Sequence, residues 1–174
     1  MNDPAPLAAR PGRERWLADA PATRRLGCAL AGDLLTSLRE GGSALLLLRG
    51  ELGAGKTCLV QGLAEGLGIS EPITSPTFAL AQHYTGRVGE RPTALVHLDL
   101  YRLEAPAAAD ELFLQEEEEA TALGAVLAVE WPERLGLVPE PAWRVQLRVD
   151  GQREGRWARL EPPALEPHPP AVRG

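Results

Sequence analysis

Asparagine occurs once in the 174 residues, as Asn2. The N-K-x-D loop through which GTPases usually read guanine therefore has no counterpart here. Cysteine is nearly as scarce. Cys28 and Cys58 stand far apart and form no C-x-x-C, which excludes a disulfide framework and a zinc site of that type. Two reduced, buried thiols in a cytoplasmic protein are the expectation. Positive charge is short too: 18 Lys+Arg against 24 Asp+Glu leave a net charge of −6. A protein that binds DNA or RNA by itself needs a basic face to neutralise phosphates. The charge balance leaves room for a partner that brings the nucleic acid. No apolar run has the length to cross a membrane, Ala44–Leu48 being far too short. The N-terminus lacks the apolar core of a signal peptide, and no internal repeat is visible.

What is present is ordinary for one globular domain, with 44% hydrophobic and 24% charged residues. Pro4, Pro6, Pro11 and Gly12 mark residues 1–13 as a disordered tail, and five prolines beyond Glu161 mark 162–174 as another. Residues 14–161 form the domain. Its centre is Gly50-Glu51-Leu52-Gly53-Ala54-Gly55-Lys56-Thr57, a G-x-x-x-x-G-K-T phosphate loop. The flanks agree. Ser43–Leu48 reads as a buried parallel strand. Leu59, Val60, Leu63, Ala64 and Leu67 recur at helical spacing before Gly68. Glycines let backbone N–H groups turn inward around phosphate oxygens. The helix N-terminus adds partial positive charge. Lys56 is expected to reach the β- and γ-phosphates, and the Thr57 hydroxyl to ligate Mg²⁺.

The rest reads in order. Arg15–Ala18 suits a short edge strand. Asp19 and Pro21 open a helix whose apolar face is Leu26, Leu30, Leu34 and Leu38, with Ala29 beside them. Residues 69–78 form an extended loop holding Thr74, Ser75 and Thr77. Those hydroxyls fit either a switch loop at the γ-phosphate or a turn bonding to its own backbone. A strand over Phe78–Tyr84 and a loop over Thr85–Pro92 come next. Two apolar strands then end in carboxylates, Thr93–Asp99 and Ala125–Glu130. Ligands gather at the carboxyl ends of parallel strands. Asp99 and Glu130 are therefore candidates for the metal shell and for orienting the nucleophile, in either assignment. Between them, Pro106–Leu114 reads as helix and Glu116–Glu119 as a solvated face. Trp143–Val149 alternates like a half-exposed strand, and Gly155–Leu160 returns antiparallel. The fold class expected is α/β, a P-loop NTPase-type three-layer sandwich with a mostly parallel sheet and antiparallel C-terminal strands.

Four motifs in this order carry a resemblance: the phosphate loop, Ser75-Pro-Thr-Phe78, His97-Leu-Asp-Leu-Tyr-Arg-Leu103 and Val129-Glu-Trp-Pro-Glu-Arg134. Together they resemble the TsaE family, small P-loop ATPases of bacterial threonylcarbamoyladenosine synthesis on tRNA. The likeness spans about Trp16 to Leu160. It implies ATP and Mg²⁺ as cofactors. Gly53, Ala54, Gly55, Lys56 and Thr57 would hold the triphosphate, with Cys58 offering its backbone N–H to the α-phosphate. Thr57 and Glu130 would place Mg²⁺, and Asp99 would be the catalytic acid beside Lys56. Ser75 and Thr77 would belong to a switch loop. Asp19 would lie at the adenine end, with Trp131 and Arg156 near the nucleotide. Two departures stand out: Ala20 where many relatives carry a larger polar residue, and Cys58 where a second threonine is common. The implied partners are the TsaD and TsaB proteins, with tRNA met only through their complex. The rival reading from the residues is a P-loop small-molecule kinase, for which Arg87, Arg91 and Arg102 are available but scattered.

Overall fold

The computed structural model describes residues 12, 14–76 and 78–164. The expected tails and Thr77 therefore lie outside the described residues, apart from Gly12 and residues 162–164. The elements are β1 (Glu14–Leu17), α1 (Ala20–Arg39), β2 (Leu45–Arg49), α2 (Lys56–Gly66), β3 (Ala81–Val88), β4 (Arg91–Asp99), α3 (Pro106–Leu123), β5 (Val126–Glu130), β6 (Trp143–Val149) and β7 (Arg156–Glu161). The seven strands form one sheet in the order β1-β7-β6-β2-β5-β4-β3. The β6-β2-β5-β4 centre is parallel, while β7, β1 and β3 join antiparallel.

Strand alternation sorts the core into two layers. Leu46 and Leu48 of β2 and Val126 and Ala128 of β5 pack with α1 and α2. Leu45, Leu47, Leu127 and Val129 face the other way, onto Ala109, Phe113 and Ala120 of α3. This is the three-layer sandwich the sequence implies. Asp19 caps α1 by accepting from Ala22 N at 2.7 Å, which satisfies one of the orphan donors at a helix start. The two helices lie so close that a Cβ on Gly62 would come 2.0 Å from the Arg24 carbonyl oxygen. Only glycine permits that approach, which sets where α2 and its N-terminus stand.

Several expectations are corrected. The stretch 85–92 is mostly strand: β3 and β4 form a long hairpin turning at Gly89, with Thr85↔Ala94 and Arg87↔Pro92 in register. Pro92 hid the strand. It is tolerated because β5 pairs with β4 only from Leu95 onward, so its missing N–H has no neighbour to serve. The helix begun at Pro106 runs to Leu123 and stops at Gly124, φ 60°. The acidic run thus lies within α3, and Glu116 shares the buried face of Phe113 and Ala120. It meets His83 Nε2 at 2.7 Å instead of water. On α1 it is Ala31 that packs inward, while Ala29 faces solvent. Neither cysteine is buried: Cys28 is exposed and Cys58 partly so.

Candidate functional site

The phosphate loop joins the end of β2 to the start of α2. Gly53 and Gly55 take φ of 79° and 100°, in the left-handed region. At Gly55 the reason is also spatial, since a Cβ there would lie 1.8 Å from Arg156 Nη1. Arg156 opens β7 and donates to the Ala54 carbonyl oxygen at 2.8 Å, bracing the loop from behind. Lys56 folds back on its own loop, donating to Gly50 O at 2.6 Å and Glu51 O at 3.0 Å. Only 4% of it is exposed. Its amine stands 4.0 Å from the Trp131 ring centroid. Burial pushes the amine below its ordinary value of 10.5, against the pull of Glu130, Glu133, Asp99 and Glu51. Trp131 itself has φ +61°, a conformation that costs a non-glycine residue about 1 kcal/mol. Such strain clusters at functional sites.

The two strand-end carboxylates are neighbours because β4 and β5 pair in parallel with Asp99↔Glu130. Period-two alternation turns both toward α2. The Glu130 Oε1 atom accepts from Thr57 Oγ1 at 2.9 Å and lies 2.9 Å from His97 Nε2. Asp99 accepts from Ser75 Oγ at 2.8 Å on one oxygen and from the Tyr101 N–H at 3.0 Å on the other. Both acids are nearly sealed from bulk solvent, at 3% and 5% exposure. Burying two carboxylates this close is costly without cationic or hydrogen-bonded compensation, and Lys56 is the nearest cation the fold supplies.

Lys56, Thr57, Cys58, Ser75, Asp99 and Glu130 all border one cleft of about 380 Å³, whose rim carries Leu52, Tyr101 and Trp131. Gly53 and Gly55 close its floor. Ala54 and Arg156 do not line the cleft. Asp19 is not a wall of it either. Its place beside the site comes through Ala20, whose carbonyl oxygen is 3.5 Å from Cys58 Sγ. A hydroxyl and two carboxylates are the oxygen donors that suit Mg²⁺. Left-handed glycines at a helix N-terminus with an adjacent amine suit a phosphate chain. The residues present therefore fit both groups. His97 and Tyr101, whose ring centroid lies 4.8 Å from that of Trp131, were given no role from sequence. The signal for His97 was available: it stands two residues before Asp99 on one strand, hence on the same face.

The pattern that defines the family "Threonylcarbamoyl adenosine biosynthesis protein TsaE" matches residues 17–157. The chain belongs to the TsaE family. Curated relatives agree. A Nostoc sp. tRNA threonylcarbamoyladenosine biosynthesis protein TsaE is 43% identical over 151 residues, 84% of this chain and 84% of its own. Its Treponema pallidum counterpart is 44% identical over 126 residues, 71% of this chain and 87% of its own. Among solved structures, Bacillus subtilis YdiB superposes with a TM-score of 0.55 at 25% identity, covering 86% of this chain and 84% of that one. The fold is that of a P-loop NTPase. Among the described residues no helix is long and apolar enough to cross a membrane.

Proposed function

We propose that this protein is a Mg²⁺-dependent ATPase that serves threonylcarbamoyladenosine modification of tRNA in the cytoplasm. It would act on a complex of the TsaB and TsaD proteins and meet tRNA through them. The observation that carries the reading is the convergence of Lys56, Thr57, Asp99 and Glu130 on one cleft, in a chain of this family. The backbone N–H groups from Gly53 to Cys58 would cradle the triphosphate, and Lys56 would leave the Gly50 and Glu51 carbonyl oxygens to meet the β- and γ-phosphates. Thr57 and Glu130 hold Mg²⁺, which supplies positive charge against the triphosphate. Asp99 is the catalytic acidic residue and orients the attacking water. Ser75, through its bond to Asp99, reports the position of the loop to the reacting end, with Thr77 as its neighbour in that switch. Asp19, Trp131 and Arg156 shape the adenine end, the cover of Lys56 and the back of the phosphate loop.

A small-molecule kinase is less well supported. No arginine borders the cleft among the described residues. Arg102 lies over the Phe78 ring, 4.6 Å from its centroid, and Arg87 bonds the Glu90 carbonyl oxygen. The positive charge that steadies a transferring phosphoryl group is thus thin in the isolated chain. A slow ATPase activated by TsaB–TsaD is the expectation. Steady-state phosphate release by the protein alone, then with saturating TsaB–TsaD, tests it. A fast rate that the complex leaves unchanged rejects the helper role, and a phosphorylated acceptor supports the kinase.

A further inference from the structure

His97 is wholly buried in β4, on the face that also carries Leu95 and Asp99. Its Nε2 meets Glu130 Oε1 at 2.9 Å, while its Nδ1 is buried with no partner among the described residues. Burying an imidazole with one nitrogen unpaired costs stability that a leucine would not. The only return visible for that cost is the contact with Glu130. A carboxylate oxygen accepts, so the neutral ring carries its proton on Nε2. Both donors to Glu130 among the described residues, Thr57 and His97, converge on Oε1. No donor among the described residues reaches Oε2.

We propose that His97 is a positioning residue: it clamps Glu130 through Oε1 from within the sheet and keeps Oε2 free for the metal side of the cleft. This rests on the reading of Thr57 and Glu130 as the Mg²⁺ holders. Two donors are needed because they differ in permanence. The Thr57 hydroxyl can rotate and must share its oxygen when the site is filled. His97 is anchored by strand pairing, His97↔Ala128, and its ring is wholly buried. Groups behind a metal ligand that fix its direction typically contribute 10- to 100-fold in metal affinity.

The test is calorimetric titration of ATP into the full chain, once with Mg²⁺ and once with EDTA. The ratio of the two affinities isolates the metal-linked part. His97→Asn keeps an amide near Nδ1 but falls short of Glu130, whereas His97→Gln puts its amide where Nε2 stands. We expect the ratio to fall about 10- to 100-fold in His97→Asn and to recover to within about threefold of wild type in His97→Gln. The EDTA affinity should hold in both. If His97→Asn does not fold, His97→Leu, which fills the space without a donor, carries the same expectation. An unchanged ratio in a variant that merely melts earlier overturns the positioning role, as does an equal loss in the Asn and Gln variants. A wild-type protein with no Mg²⁺-linked ATP binding overturns the site reading itself and this inference with it.

Discussion

The ends of β4 and β5 lie side by side and carry one carboxylate each, yet the two acids are held in opposite ways. Glu130 is gripped by a helix residue, Thr57, and a sheet residue, His97. Asp99 is held by its own turn, through the Tyr101 N–H, and by Ser75 of the long loop before β3. That loop is pinned in its first half by buried Ile69 and Ile73, with Gln61 Nε2 bonding Ile73 O at 3.0 Å. Beyond Ile73 it carries Phe78, which is 88% exposed. Glu130 is thus held by residues of the sheet and of α2, whereas Asp99 is coupled to a segment with little apolar weight behind it. A carboxylate in a fixed frame suits ground-state binding. One whose partner can move suits a step that is to be regulated.

The harshest way to break the comparison is to remove the cation both acids share. Lys56 is the chain's only lysine. Lys56→Met should reduce phosphate release to background while circular dichroism shows an intact fold. Stability should move with pH in a set direction. Burial lowers the folded-state value below 10.5, so the unfolded chain binds more protons between the two values. The cost of the buried charge is fully present below the folded value and fades as pH rises toward 10.5. Urea midpoints should therefore favour Lys56→Met most at neutral pH, with wild type gaining on it as pH rises. A gap that widens instead rejects the account of Lys56 burial.

Separating the acids comes next. Asp99→Asn should lower kcat about 100-fold or more with Mg·ATP affinity within about threefold. Glu130→Gln should weaken that affinity at least ~10-fold, as losing a group that holds the metal requires. Fluorescence titration with single-turnover kinetics reads both, and equal affinities with equal rates would erase the distinction. A milder probe is Ser75→Ala. One hydrogen bond of about 1 kcal/mol corresponds to about fivefold in kcat, felt at Asp99 and not in the affinity set by Glu130. The smallest effect should come from Arg156→Met, which unties Ala54 from β7. About 1 kcal/mol of stability and a few-fold of nucleotide affinity should go, measured by denaturant midpoint and titration. A loss confined to kcat would place Arg156 in the reaction rather than behind the loop.

Much of the site was readable because its parts are local. The glycine spacing of 50–55, the Asp19 cap and the apolar strands ending in Asp99 and Glu130 each follow from neighbours in the chain. What was missed involves partners far apart in sequence. His97 and Glu130 are separated by 33 positions, and Arg156 and Ala54 by 102. The inward turn of Glu116 was hidden by its acidic neighbours, although the spacing to Phe113 and Ala120 pointed to it. The strand at 85–92 was hidden by Pro92, whose penalty depends on how far β5 extends.

By itself, then, the chain determined the phosphate loop, the alternation that sends Asp99 and Glu130 to one face, and the sorting of leucines into two layers. These follow from backbone geometry and side-chain period, which act over a few residues. Only the tertiary structure decided that Lys56 is buried against Trp131, that His97 rather than solvent meets Glu130, and that Ser75 reaches Asp99. Each of these is a contact between elements, set by strand order and helix packing. Burial of the shared site then sets what each charge costs, and that cost cannot be read until the neighbours are in place.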